Sequence, residues 1–150
     1  MTFVAIQAGG GWDTHADNWK KLKLTLLPTL DEGLAALFVG LEQKGLLAST
    51  CVLVTGEFGR TPKINDNAGR DHHPAVFSCV LAGAGVRGGV VHGASDERGF
   101  SPESGAVSVA DFNSTVAAAA GLPHEREFLA PNGRPFRIGG GGTPVREVLA

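Results

Sequence analysis

Glycine interrupts this sequence so often that no apolar run grows long before a turn falls due. It fills 22 of 150 positions and gathers at 9–11, 83–89 and 139–142. Because glycine adopts backbone conformations closed to other residues, such clusters read as turns. Strands are therefore expected to be short, each delivering its last residues into a loop. Three apolar runs fit: residues 3–7 (FVAIQ), 51–55 (CVLVT) and 75–81 (AVFSCVL). The second is β-branched and apolar throughout, as a central parallel strand would be.

Between the first two runs, Leu27, Leu30, Leu34, Leu37, Phe38 and Leu41 recur at helical spacing, with Asp31, Glu32, Glu42, Gln43 and Lys44 among them. This predicts an amphipathic helix ending near Gly45, with Pro28 in its first turn and residues 18–26 as a separate shorter helix. Strand, helix and strand in that order predict a parallel pair with a right-handed crossover. Val90 and Val91 are expected in a short edge strand. Residues 109–120 read as a helix with Ser108 as its N-cap, and 145–149 as a final turn. Gly139 to Gly142 reads as a flexible joint, without phosphate-binding spacing.

Composition narrows the function classes. A net charge of −2, with 43% hydrophobic and 19% charged residues, gives no bias toward nucleic acid or an anionic membrane surface. The length suits one folding unit. Cys51 and Cys79 sit inside apolar runs, where thiols usually pack as small hydrophobes, and a disulfide between them needs a geometry that sequence does not supply. No unbroken apolar stretch approaches the roughly 18–20 residues of a membrane span, and the first residues lack the basic and hydrophobic regions of an export signal.

Chemistry concentrates where the apolar runs end. In open α/β sheets functional groups gather beyond the carboxyl ends of strands. Asp13 and His15, two positions apart after a triple glycine, can turn a carboxylate and an imidazole toward one point, a donor set suited to zinc, manganese or iron. Arg70-Asp71-His72-His73 adds two imidazoles, of which an extended backbone turns only one toward a given point. Asp71 can ligate a metal or orient a ligand histidine. Glu57 emerges after CVLVTG, and Arg60 follows three residues later with a guanidinium matched to a tetrahedral oxyanion. The structural alternatives are an N-cap at Asp13 with an exposed His15, an Arg70–Asp71 turn, and a Glu57–Arg60 ion pair.

The segments GGWDTHADN, TCVLVTGEFGRTPKIN, GRDHHPAVFSCVLAGAGVRGG and SVADFNSTVAAAAGLP together resemble the C-terminal half of the DUF1501 family of bacterial proteins. That family is placed in the alkaline phosphatase and sulfatase superfamily. The resemblance runs from about Phe3 to Leu149. It implies an α/β fold, the C-terminal portion of an alkaline phosphatase-like three-layer sandwich with a mostly parallel sheet, in one domain over 1–150. It implies a divalent metal cofactor, zinc or manganese, as one or two ions. One ion would be held by Asp13, His15 and His72, with His72 preferred because the family motif carries an aromatic at the next position. Asp71 would be a further ligand or its support. The superfamily's second metal uses an Asp-His pair where this chain has Glu57-Phe58, leaving Glu57 as the local candidate ligand or general base.

The same resemblance implies hydrolysis of small phosphate or sulfate esters, with Arg60 binding substrate and stabilising charge. It also implies that the nucleophile, a further aspartate ligand and a twin-arginine export signal belong to a segment preceding the part seen here. The function is thus expected to be a metal-dependent ester hydrolase, incomplete in this chain. The alternatives are a non-catalytic metal- or anion-binding domain and an interaction domain without metal.

Overall fold

The computed structural model describes residues 2–150. Its longest element is one helix, α1, Asn18–Gln43. The expected break at Pro28 is absent, because residues Leu22–Leu26 form a π-helical turn directly ahead of the proline. Wider i→i+5 bonding takes up the lost proline N–H, and the helix continues across it. After Gln43, Gly45 takes φ 67, and Gly45 N and Leu46 N donate to Glu42 O and Leu41 O, which closes the helix end as predicted.

Strand β1, Cys51–Val54, pairs with β4, Val80–Gly83, in antiparallel register, with Leu53 opposite Leu81. Between them β2, Gly59–Arg60, pairs antiparallel with β3, His72–His73. Two further antiparallel pairs follow: β5, Ala94–Ser95, with β6, Pro102–Ser104, and β7, Glu127–Leu129, with β8, Pro135–Arg137. A second helix, α2, Val109–Ala119, begins at the expected cap: Ser108 Oγ accepts from Asp111 N, and the Asp111 carboxylate accepts from Ser108 N.

This architecture corrects the expected three-layer sandwich with a mostly parallel sheet. The four described sheets are two-stranded and antiparallel. The reason lies in chain order. α1 precedes β1, so no helix lies between β1 and β4; the link instead turns back on itself through β2 and β3, and a returning chain pairs antiparallel. Residues 3–7, expected as the first strand, are outside any sheet, with Phe3, Val4 and Ile6 at 84%, 73% and 76% exposure. The third apolar run pairs only from Val80 onward, and Val90 and Val91 lie outside the strands. The glycine tract at 139–142 is packed instead of hinged: a Cβ at Gly139 would strike the Ser114 backbone, and one at Gly142 the Ala110 carbonyl. Cys51 and Cys79 are both free.

Few apolar side chains are enclosed. Among the described residues only Leu26 and Ala117 count as buried hydrophobics. The accessible surface is 10509 Å², against about 7,200 Å² for a compact monomer of this mass. α1 contributes Trp19, Leu24, Leu27 and Val39 to the exposed apolar surface. Judged by mean hydropathy, 1.5 over its best 18 residues, it is long and apolar enough to cross a membrane, although Asp31 and Glu32 interrupt it and core helices meet the same criterion.

Candidate metal centre

Asp13 and His15 are presented by a pair of tight turns. Thr14 N donates to Trp12 O and His15 N to Asp13 O, each spanning two residues. Thr14 itself is buried and bonds Asn18 Oδ1, which leaves Asp13 and His15 on the outer side of the loop. A second loop, 65–70, is stitched along the first. Asp17 N donates to Asn67 O, Asn18 N to Ala68 O and Arg70 N to Thr14 O, at 3.0–3.1 Å. Asp17 and Ala68, the two non-glycine residues with left-handed backbone among those described, both lie in this seam. The seam is close enough that a Cβ on Gly69 would run into the His15 carbonyl.

β2 and β3 bring the remaining groups. Arg60 stands opposite His72 and Gly59 opposite His73, so Arg60 and His72 share one face of the pair while His73 takes the other. His73 Nε2 turns to Phe100 O at 2.8 Å. His72 faces the loop, its ring 4.5 Å from Phe58 and 4.8 Å from His15.

Three ligand atoms converge. Asp13 Oδ1 lies 3.0 Å from His15 Nε2 and 2.9 Å from His72 Nε2, and the two Nε2 atoms are 3.2 Å apart. Around a tetrahedral ion with bonds of about 2.0–2.1 Å, ligand atoms stand about 3.3 Å from one another. The triangle therefore has the size of one face of such a site. His15 Nδ1 donates to Asp71 Oδ1 at 2.7 Å, and a carboxylate can only accept, so in the neutral ring the lone pair is on Nε2. In that tautomer the Nε2 lone pair is directed at the point where Asp13 Oδ1 and His72 Nε2 meet, free to ligate a cation.

Charge is arranged accordingly. The His72 hydrogen bond, reinforced by the one from Arg60 Nη1, holds the Asp13 carboxyl down to about 2. His15, and then Asn65, pull the Asp71 carboxyl below its ordinary range. All of these groups reach solvent: the side chains of Asp13, His15 and His72 are 61%, 44% and 48% exposed.

Of the residues singled out from sequence, Asp13, His15 and His72 meet at one point. Asp71 supports His15 from behind, and Arg60 bonds Asp13. Glu57 lies exposed on the bend between β1 and β2 and is not in the converging set. Thr61 Oγ1 donates to Lys63 O and accepts from Asp71 N. Two contributors carried no sequence signal of their own. Phe58 packs its ring at a tilt of 53° against His72 and lies under the Arg60 guanidinium at 5.7 Å, and Asn65 bonds both Asp71 and the His15 carbonyl.

The profile of a family described as "Protein of unknown function (DUF1501)" matches residues 1–149. The chain belongs to the DUF1501 family. No curated protein and no solved structure matches it. Within this DUF1501 chain the converging triad falls in the first half of the match, with Asp13 and His15 near its start and His72 close to its midpoint.

Proposed function

We propose that this DUF1501 chain binds a divalent cation, zinc or manganese, through Asp13, His15 and His72, and uses it on small phosphate or sulfate esters. What carries the reading is the triangle of ligand atoms at 2.9–3.2 Å, with the Asp71 carboxylate fixing the tautomer of His15 behind it. The aspartate, nearby histidine and later histidine resemble the metal-ligand pattern of the alkaline phosphatase and sulfatase superfamily, and this supports the choice of substrate class.

A bound divalent cation would polarise an ester oxygen. The chain's own groups do the rest. Asp71 keeps the His15 ring from turning. Phe58 walls the site on the His72 side and supports Arg60 from below. Arg60, with a side chain 22% exposed, presents a charged fork beside the triad, where it can bind the equatorial oxygens of a phosphoryl or sulfuryl group. Glu57 stands outside this set, and the proposal gives it no part.

A second reading, a metal-binding domain without turnover, is favoured by the hydroxyls. Thr14 is buried against Asn18, and Thr61 is committed to Lys63 and Asp71, so neither is offered as a nucleophile. Metal analysis together with phosphate and sulfate monoester assays separates the two. Stoichiometric zinc or manganese with turnover supports hydrolysis, metal without turnover supports the second reading, and absence of binding by either metal removes both.

A further inference from the structure

We infer that Asn65 is the positioning residue of this centre, fixing both the ring and the backbone of His15. The inference rests on the metal-site reading above. The Asn65 amide uses its whole hydrogen-bonding capacity. Nδ2 donates to the His15 carbonyl and to Asp71 Oδ1, each at 3.0 Å, while Oδ1 accepts from Asn67 N at 3.0 Å and Gly69 N at 2.9 Å. An amide offers two donors and two acceptor lone pairs, so none is left over. The partners also fix which end is which, since backbone N–H groups must meet oxygen and a carbonyl must meet N–H.

One atom, Asp71 Oδ1, receives both Asn65 Nδ2 and His15 Nδ1. Asn65 thereby holds the carboxylate that holds the imidazole whose Nε2 faces Asp13 and His72. Through the His15 carbonyl it also clasps the loop from which that imidazole projects. Partners at this remove from a metal orient its ligands, and losing one typically weakens metal binding by about 10- to 100-fold. Aspartate would fill the same space but set acceptor against acceptor at both the carbonyl and Asp71.

That last point selects the experiment. Asn65→Asp keeps the acceptor that closes the 65–69 turn and removes both donors, whereas Asn65→Ala removes everything. Zinc affinity of the full chain is measured by chelator competition for the parent, both variants and Ser108→Ala, which weakens the remote α2 cap. Folding is followed by circular dichroism in EDTA, and ligand geometry by the absorption bands of the cobalt-loaded protein. The expected result is a loss of about 10- to 100-fold in zinc affinity for both Asn65 variants, with shifted cobalt bands for Asn65→Asp, and parent-like affinity for Ser108→Ala. Zinc binding by Asn65→Asp equal to that of Ser108→Ala overturns the inference. So does loss of fold in both Asn65 variants without metal, which would make Asn65 a scaffold residue for the chain as a whole. A parent that binds no zinc defeats the metal reading itself, an outcome distinct from a parent that binds and variants that bind equally well.

Discussion

Arg60 and His72 stand directly opposite each other in the β2–β3 pair, and both reach the same oxygen, Oδ1 of Asp13. A cation bound by the triad would share that oxygen with a guanidinium. Arg60 would therefore compete with such a cation for the carboxylate and stand beside any anion the cation drew in.

Arg60→Ala is expected to separate these roles. Zinc affinity should hold or rise, while inorganic phosphate should bind the zinc-loaded chain about 10- to 100-fold more weakly, as follows from losing charge-assisted hydrogen bonds worth about 1.5–3 kcal/mol. Arg60→Lys should restore only part of this, because an ammonium lacks the planar fork. Titration calorimetry with and without zinc reads both effects.

The triad makes a plain prediction for stability. Zinc at 100 times its dissociation constant should stabilise the parent by about 2.7 kcal/mol, and His15→Ala and His72→Ala should abolish that gain. Thermal melts in EDTA and in zinc provide the comparison. A parent melting temperature indifferent to zinc would count against the site.

Gly69→Ala tests the seam between the two loops. Its added methyl meets the His15 carbonyl, a backbone atom that cannot swing aside, so about 1–3 kcal/mol of stability should be lost together with zinc affinity. Denaturant melts and a zinc titration on the same variant would show both losses.

The acid limb of stability in EDTA should carry Asp13. Its carboxyl is depressed from 3.8 to about 2 by His72 and Arg60, so its contribution is complete above the ordinary carboxylate range and drains away as pH falls through about 2. Solvent exposure keeps the effect small. Asp13→Asn should flatten the parent's decline between about pH 4 and 2, a difference that acid titration followed by circular dichroism would detect.

Ser108→Ala removes the α2 cap and should cost about 1 kcal/mol. Zinc affinity should be untouched, because Ser108 bonds only its own helix start, at Asp111.

The helices were legible from local pattern, and the triad from local pattern joined to the family resemblance. Leucine periodicity gave the part of α1 from Leu27 onward, though not its continuity with residues 18–26, and the spacing around Ser108 gave α2; Asp-x-His with a later histidine gave the converging residues, with His72 preferred over His73 only through the family resemblance. Strand direction was not legible. CVLVT and AVFSCVL look the same to a parallel or an antiparallel partner, and the choice hung on treating residues 3–7 as a strand ahead of the helix, which the structure leaves unpaired. Asn65 was hidden for another reason: Asn-Asp-Asn-Ala-Gly reads as a turn, and only the fold shows that the turn's side chain reaches fifty residues back to His15. Phe58 likewise looked like a lost histidine until its ring was found against His72.

α1 runs 26 residues, and within its apolar stretch only Leu26 is buried, so its flank gives it little grip on the rest of the molecule. What secures its first turn is the seam, through Asp17 N on Asn67 O and Asn18 N on Ala68 O. A helix fastened chiefly at its first turn behaves as a strut pinned beside the candidate metal centre, and chelation of a bound cation should be felt along its length as faster amide hydrogen exchange and easier proteolytic cutting.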